Sequence, residues 1–182
     1  MSALQPAEEP TVIWTIGHSS RSLARFLTLL RSHRIGLVAD VRRYPGSRAH
    51  PHFNSTPLAD LLAQAGVNYI GLPELGGRRT PSKDSRNTVW RQSAFRGYAD
   101  YMETPEYRAG IGRLIDVANT TRTAVLCSEA LWWRCHRALI ADDLKVRGIT
   151  VLHIMGEKDA VEHPFTSAAR VLGGRLVYGS AL

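Results

Sequence analysis

Cysteine is scarce in this chain, with 2 among 182 residues. So few thiols cannot staple a fold. With no export signal in view, the expectation is a reducing cytoplasm and no structural disulfide. Lysine is nearly as rare: apart from Lys83, Lys145 and Lys158, all of the 23 basic residues are arginine. A planar guanidinium suits phosphate and carboxylate, although an arginine-rich genome would leave the same bias. No apolar run approaches the roughly 18 residues that span a bilayer, so no membrane partner is expected. Residues 1–10 are acidic, carry proline and lack an apolar stretch, and read as a disordered tail rather than a signal peptide. Neither G-x-x-x-x-G-K-[ST] nor G-x-G-x-x-G occurs, which argues against a P-loop or a dinucleotide fingerprint. There is no internal repeat.

What is present describes an ordinary globular protein. A hydrophobic share of 44% and a charged share of 21% fit one soluble domain at 11–182 with its own core. The net charge of +7 points to an anionic partner, either a small molecule or a nucleic acid. Nothing in the sequence speaks to oligomeric state.

Short β-rich runs alternate with helical patterns. TVIWTIGH (11–18) reads as a buried strand, and 19–34 as a helix with Leu23, Phe26, Leu27 and Leu30 on one face and Ser20 or Ser22 as cap. IGLVADVR (35–42) is a second strand, 55–66 a helix with proline near its start, and 68–77 a strand running into glycines. The basic stretch at about 78–95 reads as a long loop of the kind that forms lids or binding surfaces, with Trp90 a base-stacking candidate. Helices are predicted at 96–102, 104–120, 134–148 and 163–174, and strands at 123–129 and 150–155; 175–179 is an edge strand or an irregular end. This alternation predicts an α/β fold, Rossmann-like, with a mainly parallel sheet and helices on both faces.

In such sheets the ligand crevice lies beyond the carboxyl ends of the strands. The polar residues gather there. Strand one ends in His18 and Ser19, strand two in Asp40 and Arg42 with Arg43 and Arg48 close behind, strand three leads to Arg78, and the strand at 123 ends in Cys127-Ser128-Glu129. Ser19, Asp40, Arg42, Arg48, Arg78 and Arg137 are the candidate anion ligands; an Asp–Arg pair could equally brace its own loop. Backbone N–H groups opening the helix after GHSSRS could add to an anion site, or the serine could simply cap.

Both cysteines fall in CSEALWWRCHR (127–137). Cys127, near Arg134, Arg137 and a helix N-terminus, would have its thiolate stabilised, with Glu129, His136 or His18 for proton transfer. The Cys-x5-Arg spacing of phosphatases is not met, because Arg134 stands one residue too far. Cys127, Glu129, Cys135 and His136 also have the ligand chemistry for a divalent metal such as zinc. Against that, Cys-x7-Cys is no standard knuckle, and on a helix Cys135 and His136 would point about 100° apart. Both thiols could also be small core residues, as most free cysteines are.

TIGHS, DVRRYPGSR, GVNYIGLPELGG and CSEALWWRCHRALIADDL resemble the family catalogued as domain of unknown function 488. The resemblance runs from about Val12 to His153, and its most specific feature is Cys-x-Glu followed by Cys-His-Arg. It implies an α/β fold with a polar site at His18, Ser19, Asp40, Arg42, Pro45 and Arg48 and at the CSE…CHR residues. It implies no substrate. The expectation is an enzyme acting on a phosphate-bearing or other anionic substrate, with a non-catalytic nucleic-acid-binding module and a metal or thiol redox protein as the alternatives.

Overall fold

The computed structural model describes residues 11–179, so the tail expected at 1–10 lies outside the described residues. β1 (Val12–Gly17) is followed by α1 (Leu23–Ser32), which opens where the Ser22 hydroxyl accepts the Arg25 N–H at 3.2 Å. β2 (Leu37–Asp40), α2 (Ser55–Gln64) and β3 (Asn68–Gly71) come next. After a long irregular stretch come α3 (Ser93–Tyr101) and α4 (Pro105–Ala118), then β4 (Thr123–Cys127), α5 (Arg137–Val146) and β5 (Thr150–Ile154). Thr104 caps α4 through the Tyr107 N–H, with Pro105 at the first helical position. β6 (Ala160–Glu162) ends the main sheet, and β7 (Arg170–Leu172) with β8 (Arg175–Val177) forms a separate hairpin.

The main sheet has the order β3-β2-β4-β1-β5-β6, parallel except for β6. Its central strands are buried on both faces, which explains why VIWTIG, LVAD and TAVLC are runs rather than alternations. Trp14, Ile16, Val38 and Leu126 face α1 and α2, where they meet Phe26, Leu30, Leu58 and Leu62. Ile13, Ala39, Val125 and Val151 face the other way, onto Tyr98, Tyr107, Leu114, Leu139 and Leu144 of α3, α4 and α5. The sheet is therefore covered on both sides, as the alternation predicts. Among the described residues no helix is long and apolar enough to cross a membrane.

Three local expectations are corrected. The helix expected at 163–174 does not form, and its end is the β7–β8 hairpin. Gly173 and Gly174 turn it with φ of +56° and +75°, the left-handed pair a two-residue hairpin turn requires. The helix expected from 134 begins only at Arg137, because Cys135 is extended at φ −130°, ψ 149° after a short 3-10 turn, Trp132–Arg134. The basic loop forms and is fastened to α3. The Asp100 carboxylate on α3 accepts from the Ser82 N–H (2.8 Å), the Ser85 hydroxyl (2.6 Å) and the Asn87 amide (2.7 Å). Trp90 in that loop stacks on Phe95 at 5.1 Å and meets Tyr178 edge-on, so it packs against the core instead of waiting for a base.

Candidate active site

The chain runs from β1 through α1 to β2 and through α2 to β3 on one face. It then returns through α3 and α4 to β4, and passes through α5 to β5 on the other. β4 lies between β1 and β2, and the connection after β4 leaves toward the face opposite theirs. A crevice opens where neighbouring connections part in this way. Cys127 is the last residue of β4, paired in register with Gly17 at the end of β1. Side chains alternate along a strand, so Cys127 points to the same face as Val125, toward α5.

Beyond the strand ends the backbone stays paired. The His18 and Ser19 N–H groups donate to the carbonyls of Cys127 (2.9 Å) and Ser128 (2.8 Å). A side chain at Gly17 has no room, because its Cβ would stand 1.7 Å from the Glu129 carbonyl oxygen. Arg137, 1% exposed, donates through Nη2 to the carbonyls of Glu129 (2.9 Å) and Ala130 (3.3 Å). These bonds hold the loop after β4 against the sheet end.

That loop returns Cys135 to Cys127. The two sulfurs lie 2.7 Å apart, both buried and both free thiols. His136 Nδ1 is 3.5 Å from the Cys135 sulfur, and the Arg137 N–H, in the first turn of α5, also reaches that sulfur at 3.5 Å. The hydrogen bond from Cys135 lowers the proton affinity of Cys127 well below that of an ordinary thiol. Burial opposes this, and His136 and Arg137 reinforce it. Cys135 moves the opposite way, raised by burial and by the neighbouring Cys127 sulfur. Of the two thiols, Cys127 is the one that gives up its proton more readily, with Cys135 as its donor.

Cys127, Cys135 and His136 also form a cluster whose ligand atoms all lie within 4.8 Å of one another, and Glu129 is not part of it among the described residues. The three do not sit on one helix turn, so the angular objection raised by the sequence falls away. Two thiolates on a tetrahedral zinc, each at about 2.3 Å, stand about 3.8 Å apart, so a zinc held there would part these sulfurs by about 1 Å.

On the other side of the crevice, Arg42 grips Asp40 with Nε (2.8 Å) and Nη2 (2.6 Å), while Tyr69 donates to the same carboxylate at 2.8 Å. Arg42 Nη1 reaches His18 Nε2 at 3.2 Å. His18 Nδ1 lies 2.8 Å from the Ser19 carbonyl and must donate to it, which leaves Nε2 as the acceptor for Arg42. His18 is therefore neutral, its basicity lowered mainly by burial, and its ring stacks on Phe53 at 4.4 Å. Neither ring nitrogen is free to relay a proton.

His18, Arg42, Cys127, Cys135 and His136 line a cavity of about 690 Å³. Arg42, Arg43, Arg78 and Arg134 face it against a single acid, Glu129. Arg78 and Ser19, both on its wall, hold left-handed backbones at φ +58° and +49°, which non-glycine residues adopt only when the surroundings demand it. Gly77 lies so close to His136 that a Cβ there would stand 2.8 Å from Nδ1.

Of the residues singled out from the sequence, Cys127, Glu129, Cys135, His136, His18, Ser19, Arg42 and Arg78 meet at this cavity. Three expected anion ligands do not. Arg48 is exposed and lies outside the lining, Asp40 is fully engaged by Arg42 and Tyr69, and Arg137 is turned inward to the 129–130 carbonyls. Ser22, not an anion, caps α1, and the cavity takes only the turn before it. Arg43, named with the end of the second strand, faces the cavity too, as do His50 and Phe95, which nothing in the sequence marked.

A second polar array lies on the α5 face, next to the thiol-bearing turn. Asp142 accepts from His163 Nε2 (2.9 Å), from Thr166 through its N–H (2.9 Å) and hydroxyl (2.6 Å), and from Tyr178 (2.7 Å). His163 Nδ1 meets His153 Nε2 at 2.9 Å, and His153 Nδ1 meets the Thr15 hydroxyl at 2.7 Å. With Asp142 ionised, the chain has one consistent polarity: Thr15 donates to His153, His153 to His163, and His163 to Asp142. Burial, with His163 and Arg137 adding to it, pushes the His153 basicity down to about 2.

Fold and cavity together define a Rossmann-like α/β protein with a paired-thiol site at the carboxyl edge of its sheet. The chain belongs to the family described as domain of unknown function DUF488, whose sequence model matches residues 22–144. The match runs from α1 into α5 and stops short of His153 and His163. Neither the curated proteins nor the solved structures contain a match to this chain.

Proposed function

We propose that the protein is an enzyme that binds a phosphate-bearing or otherwise anionic substrate and attacks it with the Cys127 thiolate. The observation that carries this reading is the position of that sulfur, in the wall of an arginine-lined cavity with a thiol donor 2.7 Å away. A thiolate is the nucleophilic form of cysteine, and a donor that lowers its proton affinity makes it available near neutral pH. Arg78 and Arg134 hold the anion. Arg42, already bound to Asp40, offers only what remains of Nη1. Glu129 and His136 line the same space and serve as general acid and base. A thiolate site of this kind suits a reducing cytoplasm.

Alkylation of the native protein by iodoacetamide tests the reading. Cys127 is expected to react below the pH at which an ordinary thiol does, and inorganic phosphate or a mononucleotide is expected to slow the reaction. Thiols that stay inert until the protein is denatured would sink it.

A second reading, nucleic-acid binding, has its own support. A further hollow of about 460 Å³ shares Arg43 and Arg78 with the first and adds Arg79. Exposed Tyr44 lines the first cavity, and Trp133, half exposed, stands next to Arg134 in the sequence. Cations along a groove with aromatic faces beside them suit a single strand.

A further inference from the structure

We infer that Cys127 and Cys135 are an oxidisable pair, in which a hydroperoxide entering the cavity oxidises Cys127 and Cys135 resolves it as an intramolecular disulfide. The inference rests on the reading of Cys127 as the nucleophile, and adds a second substrate class and a role for Cys135.

Geometry carries it. The sulfurs already touch at 2.7 Å, so closing to the roughly 2.05 Å of a disulfide asks for little movement. The loop between them is pinned by Arg137 at the carbonyls of Glu129 and Ala130, so the pair is held together before any oxidant arrives. Both cysteines line the cavity although each is almost wholly buried, so only a small oxidant such as a hydroperoxide reaches them. The chain has no third cysteine to compete within one molecule. A structural core thiol needs no such contact.

The chemistry balances. The Cys127 thiolate attacks the terminal oxygen of ROOH, the O–O bond breaks, and with one proton the alcohol ROH leaves. Sulfur has lost two electrons and stands as sulfenic acid. The Cys135 sulfur then attacks the Cys127 sulfur. The S–O bond breaks, the Cys135 proton joins the departing hydroxide, and water leaves behind the disulfide. Two equivalents of a small thiol, such as glutathione, reduce it and are themselves oxidised to their disulfide.

The test uses the reduced full-length protein and one equivalent of hydrogen peroxide, followed by intact mass under non-reducing, non-chelating conditions. Expected is a loss of two hydrogens, both thiols gone, and a peptide joining Cys127 to Cys135. Cys135→Ser is expected to stop at one added oxygen on Cys127, trapped by dimedone, and Cys127→Ser to leave Cys135 unmodified. Oxygen accumulating on wild-type Cys127 while Cys135 stays free would overturn the inference. So would thiols untouched by peroxide, or one bound metal per chain that protects both. Iodoacetamide separates this from the enzyme reading. Fast, phosphate-protected alkylation without disulfide removes only the pair, and a disulfide without phosphate protection removes only the anionic substrate.

Discussion

The ring of Trp132 lies flat on that of His153, with centroids 4.4 Å apart and planes within 5°. Trp132 opens the short turn that delivers Cys135, and His153 is the middle of the buried chain from Thr15 to Asp142. The thiol-bearing turn is thus braced from behind by residues beyond the family match. His163→Ala leaves Asp142 one donor short and opens a void beside Trp132, which also packs against His163. We expect a stability loss on the order of 3 kcal/mol in urea unfolding. Cys135 should also alkylate faster in the still-folded fraction.

His153 supplies a pH dependence of known sign. Its folded-state affinity for a proton is pushed down to about 2, whereas an unfolded histidine titrates near 6.5. Between those limits the unfolded chain binds one proton more, so unfolding becomes easier as pH falls below about 6.5. The expected contribution is about 1.4 kcal/mol per pH unit. His153→Gln should be less stable at pH 7 and flatten the slope by about that amount; equal slopes in the two proteins would refute it.

Cys135 should set the reactivity of Cys127. Its hydrogen bond is the largest cause of the lowered Cys127 proton affinity, so Cys135→Ala should move the pH midpoint of Cys127 alkylation upward. His136→Ala should move it the same way by less. A midpoint unmoved in Cys135→Ala would show that Arg137 and the α5 N-terminus suffice.

The Asp40–Arg42 pair should behave as a brace. Both groups are buried, at 1% and 8% side-chain exposure, so Arg42→Met leaves a carboxylate with only Tyr69 and the residue 42 N–H as donors. The expected cost is about 3–5 kcal/mol in denaturant unfolding. Adding Asp40→Asn should recover part of it, a coupling that a pure anion-binding arginine would not show.

Arg78 and Arg134, both exposed at the cavity, should be dispensable for stability and needed for binding. In fluorescence polarisation with a labelled single-stranded oligonucleotide, Arg78→Ala should weaken binding and lower the slope of log affinity against log salt by about one contact's worth. Wild-type binding unaffected by salt would discard the nucleic-acid reading.

The central strands were legible because parallel strands buried on both faces must be apolar throughout, as in VIWTIG and TAVLC. Their alternation with helices determined the layers and, through them, the edge where polar strand ends collect. Tertiary structure alone decided the rest. Asp40, Arg42 and Arg48 stand close in sequence, yet two close on each other and the third faces solvent, because Tyr69 of β3 and His18, just after β1, complete the buried pair. Gly173-Gly174 overrode helical spacing in the C-terminal segment, and Phe95 with Tyr178 drew Trp90 inward. Whether Cys127 and Cys135 meet depended on a loop whose path is set by Gly17, Arg137 and the stack of Trp132 on His153. The approach of Gly17 to Glu129 and the stack of Trp132 on His153 join separate elements of the fold, and no local pattern encodes them.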